Sequence, residues 1–258
     1  MASTVMRVTA GAAAVPSRRQ RRREATSEEI LAVAAEMLGR EGGAGLTIRS
    51  IARELGLAPS ALYRYYPSRD AILTALIARA FVGLGDAVGA AARSCPDSLE
   101  ATLAACHAFR NWALAHPHEF GLIFGTPVPG YAWPEDMNLY AVRVEAELLD
   151  LLRRGLADGN VRIPADDQPA ALAEALGGFV ALAKFEPLTP VEAAAALQFW
   201  LLLLGTVTGE LFGHLPPAII ELGTAFFDHT IRRALLALGC STAALTQARS
   251  PLPEGVPQ

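Results

Sequence analysis

The sequence predicts an all-α protein with a small N-terminal helical domain and a larger C-terminal one. Of its 258 residues, 52% are hydrophobic but only 7% are aromatic, and the apolar excess is mostly Ala and Leu, which favour helices. Apolar residues recur every three or four positions along most of the chain, without the alternation of a β-strand. The length accommodates two domains with a sizeable core.

Charge is divided unequally between the two ends of the chain. The net charge is −4, yet residues 1–85 carry 12 Arg and 7 acids, whereas residues 86–258 carry 10 Lys and Arg and 19 acids. A basic end on an acidic body can approach phosphates. Residues 1–23 contain six arginines and no acid, and they offer little to bury, so we predict a disordered basic arm there. That arm is either a run of solvated charges or a segment that binds nucleic acid.

Cysteine usage and the distribution of apolar residues predict a cytoplasmic protein. The three cysteines are an odd number without the spacing of metal ligands, and we expect neither a metal nor a cofactor. Small apolar residues precede Arg18, whereas a secretory signal would place its charges first. The longest apolar stretch, 193–209, would span about 25 Å as a helix, less than the ~30 Å of a bilayer core. No membrane partner is expected.

The first two helices of the expected N-terminal domain, residues 24–83, follow from capping signals. A helix should begin at Thr26, where Glu29 completes a capping box, and end at the glycine pair 42–43. Thr47 is a good N-cap for a second helix. Gly56 should end that helix with a left-handed backbone.

A third short helix is predicted over Pro59–Tyr66, because proline suits the first turn of a helix. Pro67 closes this helix and Ser68 caps a fourth. Two short helices joined by a glycine turn and braced by a preceding helix can place the third helix in a DNA major groove. An ordinary helical corner whose tyrosines cover a core explains the same spacing, and the helix pattern alone favours that simpler interpretation.

The segment 47–73 resembles the DNA-binding domain of the tetracycline-repressor (TetR) family, and the likeness extends over residues 26–80. The matching positions are Thr47, Ile51-Ala52, Leu55-Gly56-Leu57, Leu62-Tyr63, Tyr65-Tyr66, Pro67-Ser68 and Arg69. Ala58 departs from the Ser or Thr cap usual in the family, and Pro59-Ser60 replaces its frequent Lys-Gly. These departures leave Arg64 as the strongest hydrogen-bonding side chain for reading bases.

The resemblance implies a homodimeric transcriptional regulator, a repressor that binds a palindromic operator in double-stranded DNA and is released by an unknown small-molecule effector. In that role one set of side chains would contact the DNA backbone: Thr47, Arg49, Tyr63, Tyr65 and Arg69. A second set would lie closest to the bases: Ser60, Ala61 and Arg64. Pro59 is a further candidate for DNA contact. The alternative is a helical ligand-binding or scaffold dimer without specific DNA binding.

The C-terminal domain is expected over residues 84–240, followed by a disordered tail over 241–258. Helices are predicted near 98–116, 118–125, 138–158, 167–184, 190–213 and 217–238. Motifs around His116-Pro117 and 122–131, with Trp200 and Gly205, resemble the Trp-His-Gly subgroup of the same family. Leu204 stands where that subgroup has its His.

The last two long helices carry apolar stripes that suit either a dimer interface or the core of a monomer. The family resemblance favours a four-helix dimer bundle, in which the interface residues would be Trp200, Leu204, Gly205, Thr208, Gly209, Phe226, Phe227 and Thr230. Aromatic residues of the middle helices are the candidate effector pocket: Phe109, Trp112, Phe120, Phe124, Tyr131, Trp133 and Phe179. The proline-rich loop 126–134 is its expected lid.

No pattern of catalytic residues is found, so the chain is not expected to be an enzyme. His116, His118 and Glu119 cluster at a helix break, and no further side chain is spaced to complete a metal site with the two histidines. The other histidines lack a neighbouring nucleophile in a recognisable context.

Overall fold

The computed structural model describes residues 17–134, 137–165, 169–183 and 188–248, and the secondary structure of these residues is helical. The N-terminal helices are α1 Arg18–Gly45, α2 Ile48–Glu54, α3 Pro59–Leu62 and α4 Arg69–Arg93. The remainder are α5 Ser98–Ala115, α6 Pro117–Phe124, α7 Asn138–Asp158, α8 Ala170–Ala183, α9 Pro190–Leu211, α10 Pro217–Glu221, α11 Gly223–Ala237 and α12 Thr242–Gln247. The chain divides into two compact units, 1–72 and 73–258. This boundary lies inside α4, before the predicted boundary at 83/84.

Helix α1 begins earlier than the sequence indicated. Ser17 caps it by accepting a hydrogen bond from the Gln20 amide at 3.1 Å, and Thr26 lies inside the helix, where its hydroxyl donates to the Arg22 carbonyl. The prediction of disorder is therefore wrong for residues 18–23, and residues 1–16 lie outside the described residues. Arginine is a good helix former, and a serine cap is sufficient to start the helix ahead of the arginine run. The predicted break is present at Gly42, with φ +67°.

The helix-turn-helix signals are confirmed in geometry. The Thr47 hydroxyl accepts from the Ser50 amide at 3.0 Å, and Gly56 adopts φ +64° at the turn. Ser68 caps α4 by accepting from the Ala71 amide at 3.1 Å. Helix α3 is shorter than predicted, because it ends at Leu62 and residues 63–65 form a turn.

The core of this unit is formed by apolar side chains from each of its helices. The fully buried members are Ile30, Ala34, Leu46, Ile51, Ala52, Leu62 and Ile72.

The C-terminal unit has a core built from α4, α5, α6, α7, α9 and α11, with Phe109, Phe120 and Phe227 fully buried. The predicted helix 217–238 is broken at Leu222 into α10 and α11. The predicted disordered tail is wrong for residues 242–247, which form α12. Ser241 caps this helix, Leu245 is buried, and the Leu245 carbonyl accepts a hydrogen bond from Arg232.

The segment after α7 passes very close to the end of α11. Gly239 adopts φ +84°, and a Cβ built on it would lie 2.0 Å from the carbonyl oxygen of Arg162. A Cβ on Gly155 would lie 2.7 Å from Cγ2 of Val161. Both contacts are shorter than any real Cβ contact, but only the contact at Gly239 is with backbone, so glycine is required there, whereas the contact at Gly155 is with a side-chain methyl group.

Two helices, α4 and α9, are long and apolar enough to cross a membrane by length and composition. The same properties are common to core helices of soluble proteins. Half of the most apolar window of α4 is buried within the protein. In α9, only 33% of the corresponding window is buried. Helix α9 therefore leaves a large apolar surface uncovered in the single chain.

Candidate nucleic-acid interface and effector cavity

The predicted DNA-contacting residues lie on α2, α3, the turn that follows α3, and the start of α4. Tyr63 is 55% exposed, and Arg49, Ser60 and Arg64 are also exposed. Pro59 and Thr47 are exposed as well, whereas Ala61, Tyr65 and Arg69 are half-buried. Leu62 alone of the α3 residues is fully buried. The outward side of α3 and its turn is thus polar, aromatic and available to a partner.

A basic groove of about 800 Å³ lies between the first turns of α1 and the turn after α3. Its walls include Arg19, Arg22 and Arg23 from α1, with Arg64 and Tyr65 from the turn. Sequence reasoning assigned these α1 arginines to a disordered arm and missed that they share a groove with Arg64. The signal that could have found them is Ser17, a capping residue placed ahead of the arginine run.

Arg69 has an internal structural role. Its Nε donates to the Leu46 carbonyl at 3.1 Å, Nη1 lies 3.4 Å from the Asp70 carboxylate, and the side chain is 25% exposed. Nearby, the Tyr66 hydroxyl lies 2.7 Å from Oγ of Ser27 and links the turn to α1. A phosphate contact by Arg69 remains a prediction, and it has to share the guanidinium with these bonds.

The aromatic residues predicted to form the effector pocket mostly pack against one another. The Phe109 ring centroid lies 5.8 Å from that of Phe120 and 5.6 Å from that of Trp200, and Phe124 lies 5.6 Å from Trp200. These edge-on contacts fill the space between α5, α6 and α9. Trp112 instead stacks on His116 at 4.7 Å.

The loop predicted as a lid is tied down by hydrogen bonds. The Tyr131 hydroxyl lies 3.0 Å from that of Thr74, and Trp133 Nε1 donates to Asn138. The Phe179 side chain lies outside those that the structure describes.

An apolar cavity of about 300 Å³ lies elsewhere in the C-terminal unit, between α5, α7, α9 and α11. Leucines dominate its walls, and none of the predicted pocket residues whose side chains are described lines it. Its described polar side chains are Thr102 and Glu145, apart from the indole of Trp200. Sequence reasoning missed this cavity because leucines from three separate helices give the same signal as an ordinary core.

Among the described residues, Glu145 contributes the only carboxyl group to the cavity wall. Burial raises the pKa of this carboxyl above its ordinary value. Within the same described ranges it has no hydrogen-bond or ion-pair partner, whereas the Thr102 hydroxyl donates to the Ser98 carbonyl at 2.8 Å. The cavity therefore presents one acid without a partner among the described residues to a mostly apolar space.

A layer of buried charges joins α5 to α9 and α11. Arg110 donates to both carboxylate oxygens of Glu210, at 2.7 and 2.5 Å, and to the Thr224 hydroxyl at 3.1 Å. The Arg110 and Glu210 side chains are 7% and 9% exposed. Alongside, Nε2 of His107 lies 3.0 Å from the Asp228 carboxylate, which also accepts from Arg232.

The predicted dimer residues divide between the core and the surface. Phe227 is fully buried beneath the Arg110 guanidinium, and Gly209 is buried beside Leu215, so neither lies on an outer face. Gly205 is exposed, with open space around it. The remaining five are half-buried: Trp200, Leu204, Thr208, Phe226 and Thr230.

The outward apolar face of α9 is rotated from the predicted stripe. Leu201 is 57% exposed and Leu202 is 37% exposed. Both lie one helical turn from Gln198 and from Gly205, so the four residues share one face of α9. Beyond the end of α9, Phe212 and Leu222 are also exposed. Of the predicted interface residues on α9, Gly205 lies on this exposed face, and the interface itself stays a prediction.

Comparison with known proteins agrees with this architecture. Residues 30–76 match the sequence profile of the bacterial regulatory proteins of the tetR family, and residues 102–234 match that of the tetracyclin repressor-like C-terminal domain. The HTH-type transcriptional regulators Rv1816 of Mycobacterium tuberculosis and Mb1846 of Mycobacterium bovis are 37% identical over 158 residues. Those alignments cover 59% of this chain and 66% of the length of each relative.

Solved structures show the same fold. The regulatory protein SCO4313 superposes with a TM-score of 0.69 and 29% identity, over 85% of this chain and 99% of that one. The TetR family transcriptional regulator PfmR from Thermus thermophilus gives a TM-score of 0.56 at 22% identity, over 79% and 97% of the two chains. The Trp-His-Gly subgroup stays a prediction, but the C-terminal match alone spans more than half of the sequence. This chain therefore belongs to the tetR family of bacterial regulatory proteins.

Proposed function

We propose that this transcriptional regulator represses its target genes by binding a palindromic operator as a homodimer, and that a small-molecule effector releases it. The observation that supports DNA binding best is the exposed α3 surface with Ser60, Tyr63 and Arg64 beside a groove lined by three α1 arginines. A guanidinium and a phenol are suited to phosphates and base edges. The protein would act in the cytoplasm, where its operator is accessible.

The two kinds of DNA contact come from different elements. Arg19, Arg22 and Arg23 would neutralise phosphates and make affinity depend on salt, without selecting a sequence. Tyr63 would fix the position of the helix on the backbone. Arg64 would read bases, because a guanidinium donates two hydrogen bonds to guanine in the major groove.

The outward face of α9 would be covered by a second copy of the chain. Leu201, Leu202 and Gly205 form an apolar strip, in which the glycine permits close approach of a second helix. The charged pair Arg110–Glu210 is buried away from solvent, so Glu210 does not add an exposed charge to α9. A two-fold axis placed on this strip makes a self-complementary contact. One helix-turn-helix reads few base pairs, so two copies on half-sites ~34–36 Å apart, or a multiple of that, are needed for specificity.

The test combines selection of duplexes from a random pool with light scattering of the purified protein. Selection should return an inverted repeat, and scattering should report a dimer. Leu201→Glu should produce monomers that lose the repeat but keep weak, salt-sensitive binding to any duplex. A scaffold protein without a DNA role would enrich no sequence at all, and that result would refute the proposal.

A further inference from the structure

We propose that the effector is an apolar molecule that carries a single protonated amine, and that the amine binds Glu145 inside the cavity between α5, α7, α9 and α11. The site is argued from the cavity and its lining, while its role as an effector site rests on the proposed function. The cavity volume of about 300 Å³ lies at the lower end of the range of ligand pockets, ~300–1,000 Å³. A small ligand is therefore expected.

The apolar walls of the cavity determine that the body of the ligand is apolar. Side chains such as Leu148, Leu152, Leu197 and Leu235 leave the space without donors or acceptors over most of its surface. A ligand with several polar groups would lose hydrogen bonds to water on entry and regain few of them. An alkyl or fused-ring body avoids that loss.

The carboxyl group of Glu145 determines which polar head group the ligand carries. Glu145 lies on the cavity wall without a partner among the described residues, and Thr102 already donates its hydroxyl proton to the Ser98 carbonyl. An ammonium would pair with the carboxylate beside a mostly apolar wall, and a charge-assisted hydrogen bond is stronger than a neutral one. An anionic ligand would place two like charges together, and a neutral alcohol would gain only an ordinary hydrogen bond.

Burial favours the protonated, uncharged form of Glu145 because the apolar wall solvates the carboxylate poorly. A bound ammonium compensates for that missing solvation. The geometry and the electrostatics thus favour the same head group.

Three probes of equal chain length separate the possibilities: decylamine, decanol and decanoate, each titrated into the full-length protein by calorimetry below its micelle concentration or, for decanol, below its solubility limit. Decylamine should bind at least about tenfold more tightly than decanol, as expected for one hydrogen bond between charged groups. Decanoate should bind most weakly. Equal binding of the amine and the alcohol, or a preference for decanoate, would overturn the proposal.

Two variants on α7 locate the charge. Glu145→Gln should abolish the preference for the amine, whereas Glu147→Gln should keep it, because Glu147 pairs with Arg93 outside the cavity. Equal loss in both variants would indicate attraction to the general acidity of the domain and would overturn the assignment. Ala196→Phe, which fills the cavity, should reduce binding of all three probes, and unchanged binding would place the site elsewhere.

Release of the selected operator by decylamine is measured separately by fluorescence anisotropy. Binding of the amine in the cavity without release would refute the effector role and leave the binding site intact. Release that persists in Ala196→Phe would show regulation through another site and would refute the cavity proposal alone.

Discussion

Removing one partner of the buried pair between Arg110 and Glu210 should be among the most destabilising single substitutions in this protein. Both side chains are less than one-tenth exposed, and they are joined by two short hydrogen bonds. Arg110→Ala would leave the Glu210 carboxylate buried without its cation, and Glu210→Ala would leave the guanidinium with Thr224 and the Phe227 ring. Breaking a buried ion pair in this way costs about 3–5 kcal/mol. That is a large part of a total stability of about 5–15 kcal/mol.

The measurement is urea unfolding at a fixed protein concentration, because association would otherwise alter the apparent stability. With slopes of about 1–3 kcal/mol per molar urea, each single variant should lower the midpoint by about 1 M or more. The double variant Arg110→Met, Glu210→Leu should recover most of this loss, since replacing a buried ion pair with apolar side chains is often neutral or stabilising.

Two results would refute this reasoning. One is a loss below about 1 kcal/mol in both single variants, which is the range of exposed pairs. The other is a double variant as unstable as the singles, which would mean that packing rather than charge is lost.

Four other changes should have separable effects. Burial raises the pKa of Glu145 in the folded protein above its ordinary 4.5, so this residue increasingly destabilises the folded state as the pH rises above about 4.5. Glu145→Gln should therefore raise the melting temperature at pH 7 and not at pH 4. A thiol reagent at pH 8 should modify Cys95 in the folded protein and spare Cys106, since burial raises the pKa of Cys106 to about 12; rapid labelling of Cys106 would contradict this. Arg22→Ala should reduce the slope of log K against log salt by about 0.9, and an unchanged slope would exclude a phosphate contact. Finally, Leu201→Glu should give folded monomers by light scattering and circular dichroism, whereas a dimeric variant would place the interface elsewhere.

Local chemistry explains which parts of the fold could be predicted. Thr47, Gly56 and Pro59 each act within one turn of backbone, and the helix-turn-helix follows from them. Ser17 is equally local, but the composition of the arginine run predicts disorder, and a prediction based on composition alone starts the first helix too late. Propensity and capping decide a helix start even where few side chains are buried.

Tertiary contacts explain the errors in the site. The spacing of Phe227 and Gly209 marks an apolar helical face, but spacing does not say whether that face meets its own core or another chain. The cavity depends on how leucines from α7, α9 and α11 pack against one another, and this is a property of packing rather than of any one segment. Glu145 is visible in the sequence only as one acid among many on α7.

The close approach at Gly155 and Gly239 has an evolutionary consequence. A methyl group at Gly239 would overlap the Arg162 carbonyl. Substitutions of Gly239 should therefore be removed by selection, whatever ligand the protein binds. Val161 stands in the same corner and forms part of the cavity wall. The end of the cavity near Val161 should therefore be held constant through descent, while Glu145, Ala196 and Leu197 on the rest of its wall can vary. A lineage that acquires a new effector would change Glu145, Leu197 or Ala196 and inherit this glycine-closed corner unaltered.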